Sequence, residues 1–135
     1  MRVQKTTSRD FAIFTVIKEN GKGYFTFEEV RAQLQLGEYL KFTDEDKRIK
    51  KGEPGWYNNI LWRLKSYQDK KVFLSRFNNT WEVNRLLFDE TYLKIAKKIA
   101  REYSIGKSSY NYMDISLIEL AQKMVDDYMI DIMYE

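Results

Sequence analysis

The stretch Trp56–Val83, WYNNILWRLKSYQDKKVFLSRFNNTWEV, decides how this chain is read. At roughly 100° per residue, Trp56, Tyr57, Ile60, Leu61, Leu64 and Tyr67 gather on one side of a helix running to about Asp69. Asn58, Asn59, Trp62, Lys65, Ser66 and Asp69 point away from that core, with Arg63 on the flank. A basic turn follows, and Val72, Leu74, Trp81 and Val83 then alternate across two short strands. Asn78-Asn79 between the strands suits a type I′ turn, because Asn tolerates the positive φ that both central positions require. A helix followed at once by a hairpin is the centre of a winged helix-turn-helix, in which the helix enters a DNA groove and the hairpin touches the adjacent backbone.

The residues before this stretch supply the helices such a fold needs. Thr7 to Asp10 has capping-box spacing and predicts a helix opening near Arg9. Phe11, Phe14 and Ile17, with Ala12 and Val16, form its apolar stripe, and Asn20-Gly21 ends it. Gly23-Tyr24-Phe25 reads as extended. Thr26-Phe27-Glu28-Glu29 is a second capping box, followed by Phe27, Val30, Leu34 and Leu36 facing inward. A third cap at Thr43-Asp44-Glu45-Asp46 predicts a short helix that turns basic at Lys47, Arg48, Lys50 and Lys51 before the break at Gly52-Glu53-Pro54-Gly55.

Beyond the hairpin the pattern is helical. From Asp89, the residues Tyr92, Ile95, Ala96, Ile99, Ala100 and Tyr103 make one apolar face, and Lys94, Lys97, Lys98 and Arg101 make the opposite one. A last helix from about Asp114 repeats apolar residues from Leu117 to Met133. The expected class is therefore mainly α (α+β): a winged helix-turn-helix over residues 1–86 and a C-terminal two-helix extension over 87–135.

Composition narrows the chemistry. At 135 residues with 44% apolar side chains the chain can build a real core. It has no Cys and no His, which excludes disulfides, Cys-based zinc sites and His-mediated acid–base or nucleophilic mechanisms. No cofactor is expected. No apolar run approaches the roughly 20 residues that span a bilayer, so no membrane association is expected. Met-Arg-Val-Gln-Lys-Thr-Thr has no apolar stretch behind it, so no signal peptide is expected and a cytoplasmic location follows. Residues 1–112 hold 22 Lys and Arg against 14 Asp and Glu, a balance of +8, whereas residues 113–135 hold one Lys against six acids, a balance of −5. A basic body joined to an acidic helix suits a nucleic-acid module tied to a non-binding element.

The segment from Phe42 to Val83 resembles the N-terminal winged-helix domain of Mrr-type modification-dependent restriction proteins. The matching features run in order: Phe42-Thr43-Asp44-Glu45-Asp46, a Gly-Pro-containing break, and Trp56 with Asn58, Ile60 and Trp62 heading the long helix. Lys70-Lys71-Val72-Phe73-Leu74 then enters the hairpin, and Thr80-Trp81-Glu82-Val83 closes it. Lys71 stands where that family usually has Gly, Asn59 where it usually has a basic residue, and only about 50 residues follow the hairpin, too few for the family's nuclease domain. The resemblance implies DNA binding in a phage, defence or regulatory setting and implies no cleavage.

The candidate contacts with double-stranded DNA follow from these placements. Asn58 and Asn59 suit bidentate pairing with adenine, and Arg63 or Lys65 suits guanine or phosphate, with Ser66 beside them. Trp62 suits stacking on a sugar or base, although cover by the C-terminal helices explains it better. Lys47, Arg48, Lys50 and Lys51 suit phosphates, and Arg76, Asn78 and Asn79 suit groove or backbone at the hairpin tip. Each set also suits an ordinary solvated surface. The methionine-rich last helix suits homodimerisation and equally suits packing on the helix before it. Glu45-Asp46-Lys47 and Asp69-Lys70-Lys71 match the (Asp/Glu)-x-Lys element of metal-dependent nucleases, but neither is expected on a strand beside a second carboxylate, and no catalysis is expected. A protein-binding module built on the same fold is the alternative.

Overall fold

The structure, a computed structural model, describes residues 5–36, 44–77, 79–104, 118, 119, 121 and 122. Its elements run α1 (Lys5–Asn20), β1 (Tyr24–Thr26), α2 (Phe27–Gln35), α3 (Asp44–Lys47), β2 (Ile49–Lys50), β3 (Glu53–Pro54), α4 (Gly55–Asp69), β4 (Phe73–Ser75), β5 (Thr80–Val83) and α5 (Arg85–Ser104). The architecture is mixed α and β: helices around a small antiparallel sheet of order β1-β5-β4, with β2-β3 as a separate two-stranded ribbon. β5 is central, pairing Phe25 with Trp81 on one side and Ser75 with Trp81 on the other. Strand alternation then sends Phe25, Phe73 and Trp81 inward, whereas Tyr24, Glu82 and Leu74 form a row on the outer face.

α1 lies at the centre. Phe11, Ala12, Ile13, Phe14, Val16 and Ile17 are all buried, a wider band than the expected stripe, because the helix is covered by α2, α4 and α5. Phe14 is the hub: its ring stacks on Phe88 of α5 at 4.9 Å and meets Tyr67 of α4 edge-on at 4.9 Å. Phe73 and Tyr92 complete its surroundings. Residues on both sides of position 86 therefore share one apolar cluster, which also includes Ala121.

Four local expectations change. α1 is already helical at Lys5, so Thr7 and Asp10 sit inside it and form no capping box. Thr26 does form its box: its hydroxyl accepts from Glu29 N–H, and the Glu29 carboxylate accepts from Thr26 N–H, both at 3.1 Å. The short helix α3 ends at Lys47; Arg48 links it to the β2-β3 ribbon, in which Lys50 lies on β2 and Lys51 in the turn. Lys51 and Gly52 both have positive φ (54° and 83°), the two-residue turn that a helical reading of a basic run cannot see. α5 starts at Arg85, earlier than Asp89, with the Asn84 carbonyl accepting from Phe88 N–H at 2.8 Å. Leu36, expected inward, stands exposed at the end of α2.

The exit of α4 sets the angle of the following strand. Val72 N–H donates to the Tyr67 carbonyl and Lys71 N–H to the Gln68 carbonyl, each at 3.0 Å, the paired bonds of a Schellman ending. That ending needs a left-handed residue, and Lys71 supplies it with φ 66°. The chain thus keeps the backbone geometry for which Gly is favoured while placing a cation there.

Candidate functional site

The outward face of α4 carries Asn58, Trp62 and Lys65 in solvent, with Asn59 and Ser66 half-buried at its edge. Trp62 is 62% exposed, and no described element covers its ring; the last helix, expected to do so, lies almost entirely outside the described residues. Trp56, Ile60, Leu64 and Tyr67 fill the core on the other side, which leaves the indole no inward position on this helix. Lys65 Nζ sits 5.7 Å from the Trp62 ring centroid, in cation–π range.

Arg63 faces elsewhere. Its guanidinium donates two hydrogen bonds to the Asp10 carboxylate, Nε at 2.7 Å and Nη2 at 2.8 Å, and the Tyr67 hydroxyl donates a third at 2.6 Å. Asp10 is nearly buried and Arg63 about a quarter exposed, so the fork ties α4 to α1. The hydrogen bond to Asp10 raises the Arg63 pKa against the opposing effect of its partial burial. Burial, then the Asp10 charge, pushes the Tyr67 phenol well above its ordinary value near 10. Arg63, expected among the DNA contacts, directs its Nε and Nη2 donors at Asp10 and so tethers α4 to α1.

Two hairpins flank α4. The ribbon β2-β3 precedes it, with the Arg48 carbonyl accepting from Gly55 N–H at 2.9 Å, and Lys47, Arg48, Lys50 and Lys51 are all exposed. Asp46, from the nuclease-like Glu45-Asp46-Lys47, is 4% exposed and paired with Arg9 at 2.5 Å. The β4-β5 hairpin follows α4. Arg76 near its turn is ion-paired with Glu82 across the strands. Phe77 is 87% exposed at the turn, where Thr80 N–H donates to its carbonyl at 3.0 Å. Asn79 has φ 55°, as the second residue of the expected Asn-Asn turn requires, and its carbonyl accepts from Phe27 N–H at 3.0 Å. Asn78 lies outside the described residues. On the sheet's inner face the Trp81 indole N–H donates to the Gln68 side chain at 2.8 Å, fixing the hairpin against α4.

The lysine stripe of α5 divides. Lys94 and Lys98 line a cleft with Lys70, whereas Lys97 does not; the side chain of Arg101 is outside the described residues. Lys70 and Phe77 escaped sequence reasoning: one reads as a helix-end cation, the other as a strand residue awaiting a core. Of the last helix, Ala121 is buried and Ile118 packs on the main cluster. The remainder of its stripe, including Leu117, Leu120 and Met124, lies outside the described residues. Among the described residues no group of three or more acids could hold a metal, and no helix is long and apolar enough to cross a membrane.

No protein-family model matches this chain, and no curated protein and no solved structure matches it either.

Proposed function

We propose that this protein is a winged helix-turn-helix module that binds double-stranded DNA without catalysing a reaction on it. The observation that carries this reading is the solvent-facing side of α4, where Asn58, Trp62 and Lys65 stand clear of the core between two hairpins. The order α1–β1–α2–α4–β4–β5, with β1 and β4 on either side of β5, supports it. Lys47, Arg48, Lys50 and Lys51 supply phosphate contacts at the start of α4, and Asn58 and Asn59 read adenine. Trp62 packs on a sugar or base face beside Lys65. Arg76, paired with Glu82, contributes hydrogen bonding more than net charge.

The plainest biological use is transcriptional regulation in a phage or defence locus in the cytoplasm. A DNA-targeting role in a restriction system is second. A homodimer through the C-terminal helices would present two such faces to two half-sites.

A second reading, a protein-binding adaptor or inhibitor, is favoured by one observation: Phe77, Trp62, Leu74 and Tyr24 all expose apolar surface. Fluorescence anisotropy on a random duplex, methylated and unmethylated, separates the two. Neutralising about five phosphates costs several hundredfold in affinity between roughly 50 and 200 mM salt, and Lys65→Ala and Lys50→Ala should flatten that slope. No binding at the low-salt end would transfer the role to protein partners.

A further inference from the structure

We infer that the cleft between the start of α1, the end of α4 and the middle of α5 binds a small phosphorylated ligand of the diphosphate class. The cleft has a volume of about 380 Å³. Lys70 enters it from just past α4, and Lys94 and Lys98, one helical turn apart, enter from α5. Three lysines, one just past α4 and two on α5, line one concavity together with Arg63.

Among the described residues the lining carries little counter-charge. Asp10 is the one acid among the described residues that line the cleft, and its oxygens already take three hydrogen bonds from Arg63 and Tyr67. Lys94 and Lys98 make no ion pair among the described residues, while Lys70 is held over the Tyr67 ring at 5.1 Å. Among the described residues, four cationic side chains against one carboxylate leave a lining charge of +3. Like charges around a concave, low-dielectric wall repel one another and focus a positive potential into it, and an anion entering the cleft relieves both.

The remaining lining refines the ligand. Thr6 and Thr91 add hydroxyl groups to the lining. Tyr67 and Ile95 give an apolar floor, so the site has room for a compact organic body beside the phosphates. A diphosphate, with roughly three negative charges, matches the lining charge. This inference stands apart from the DNA reading, since none of the three lysines lies on the outward face of α4.

The test is isothermal titration calorimetry of the full chain with inorganic pyrophosphate at low ionic strength, followed by a short duplex. Saturable one-to-one binding is expected, weakened at least tenfold in the double variant Lys94→Gln, Lys98→Gln. Lys97→Gln removes a charge from the same helix outside the cleft and should change affinity less than twofold. All three lysines are exposed, so an unchanged thermal melt should confirm that the variants fold. The inference is overturned if pyrophosphate fails to bind, or if Lys97→Gln weakens it as much as the cleft lysines do. It is also overturned if the cleft variant weakens only duplex binding, because the cleft then holds DNA phosphates.

Discussion

Two Thr-x-x-acid segments, Thr7–Asp10 and Thr26–Glu29, carry the same capping signature and end in opposite roles. At Thr26 the signature is satisfied locally: both reciprocal bonds form, and Lys22 approaches Glu29 at 3.2 Å. At Thr7 the helix has already begun, and Asp10 turns instead to Arg63 and Tyr67, more than fifty residues away. The difference lies in available partners. A carboxylate accepting a two-pronged guanidinium and a phenol gains more than one accepting a single amide, so the distant partners win wherever the fold delivers them. Where it delivers none, as at the exposed start of α2, local chemistry prevails.

The largest effect should come from removing the long-range partner. Asp10→Ala leaves the Arg63 guanidinium and the Tyr67 hydroxyl without their acceptor and should destabilise the fold by about 3 kcal/mol, discounted for the partial exposure of Arg63. Chemical denaturation checks this, and a loss below that of a simple helix cap would break the contrast. Thr26→Ala removes only the local bond and should cost about 1 kcal/mol by the same measurement.

Titration sharpens the comparison further. Burial raises the Tyr67 and Tyr92 phenols above their ordinary value near 10, Tyr67 with added help from the Asp10 charge. A raised folded-state pKa means the unfolded chain ionises first, so this stability is full below pH 10 and declines as pH climbs towards the folded values. Tyr67→Phe should shallow that alkaline decline. At Glu29 burial alone would raise the carboxylate, but hydrogen bonds from Lys22 and Thr26 outweigh it and hold it below 4.5. Its contribution is therefore present above pH 4.5 and lost on acidification, and Thr26→Ala should shrink that acid-side loss.

The smallest effect should be a gain. Lys71 holds a left-handed conformation that costs a side-chain-bearing residue more than Gly. Lys71→Gly should stabilise by roughly 0.5–1 kcal/mol, after the greater unfolded-state entropy of Gly is subtracted. No gain in the midpoint of thermal unfolding would show that the lysine side chain has a compensating contact.

Periodicity and turn chemistry were enough for the long elements. The apolar spacing of Phe11–Ile17, Trp56–Tyr67 and Tyr92–Ile99 marks helices, although α1 buries a wider band than its stripe, and the turn chemistry of Asn78-Asn79 marks the hairpin, although Phe73 and not Leu74 faces inward on β4. Thr26–Glu29 was legible because a capping box involves neighbours alone. The site was legible only where exposure follows from helix phase: Asn58, Trp62 and Lys65 fall outward by geometry, and among the described residues nothing covers them.

What the tertiary structure alone decided concerns groups with several possible partners. A charged side chain on a helix flank reads the same whether it meets solvent, phosphate or a carboxylate from another helix, and only the packing of α1 on α4 assigned Arg63 to Asp10. Packing also gathered Lys70 with Lys94 and Lys98, residues more than twenty positions apart, into one cleft. The lysine run after α3 became a ribbon because two residues adopted positive φ, a preference too weak in Lys to be read in advance. The sequence determined the elements, since their signals repeat along a single helix or strand; the fold determined the pairings, since a Coulombic or hydrogen-bond partner is chosen by distance in space.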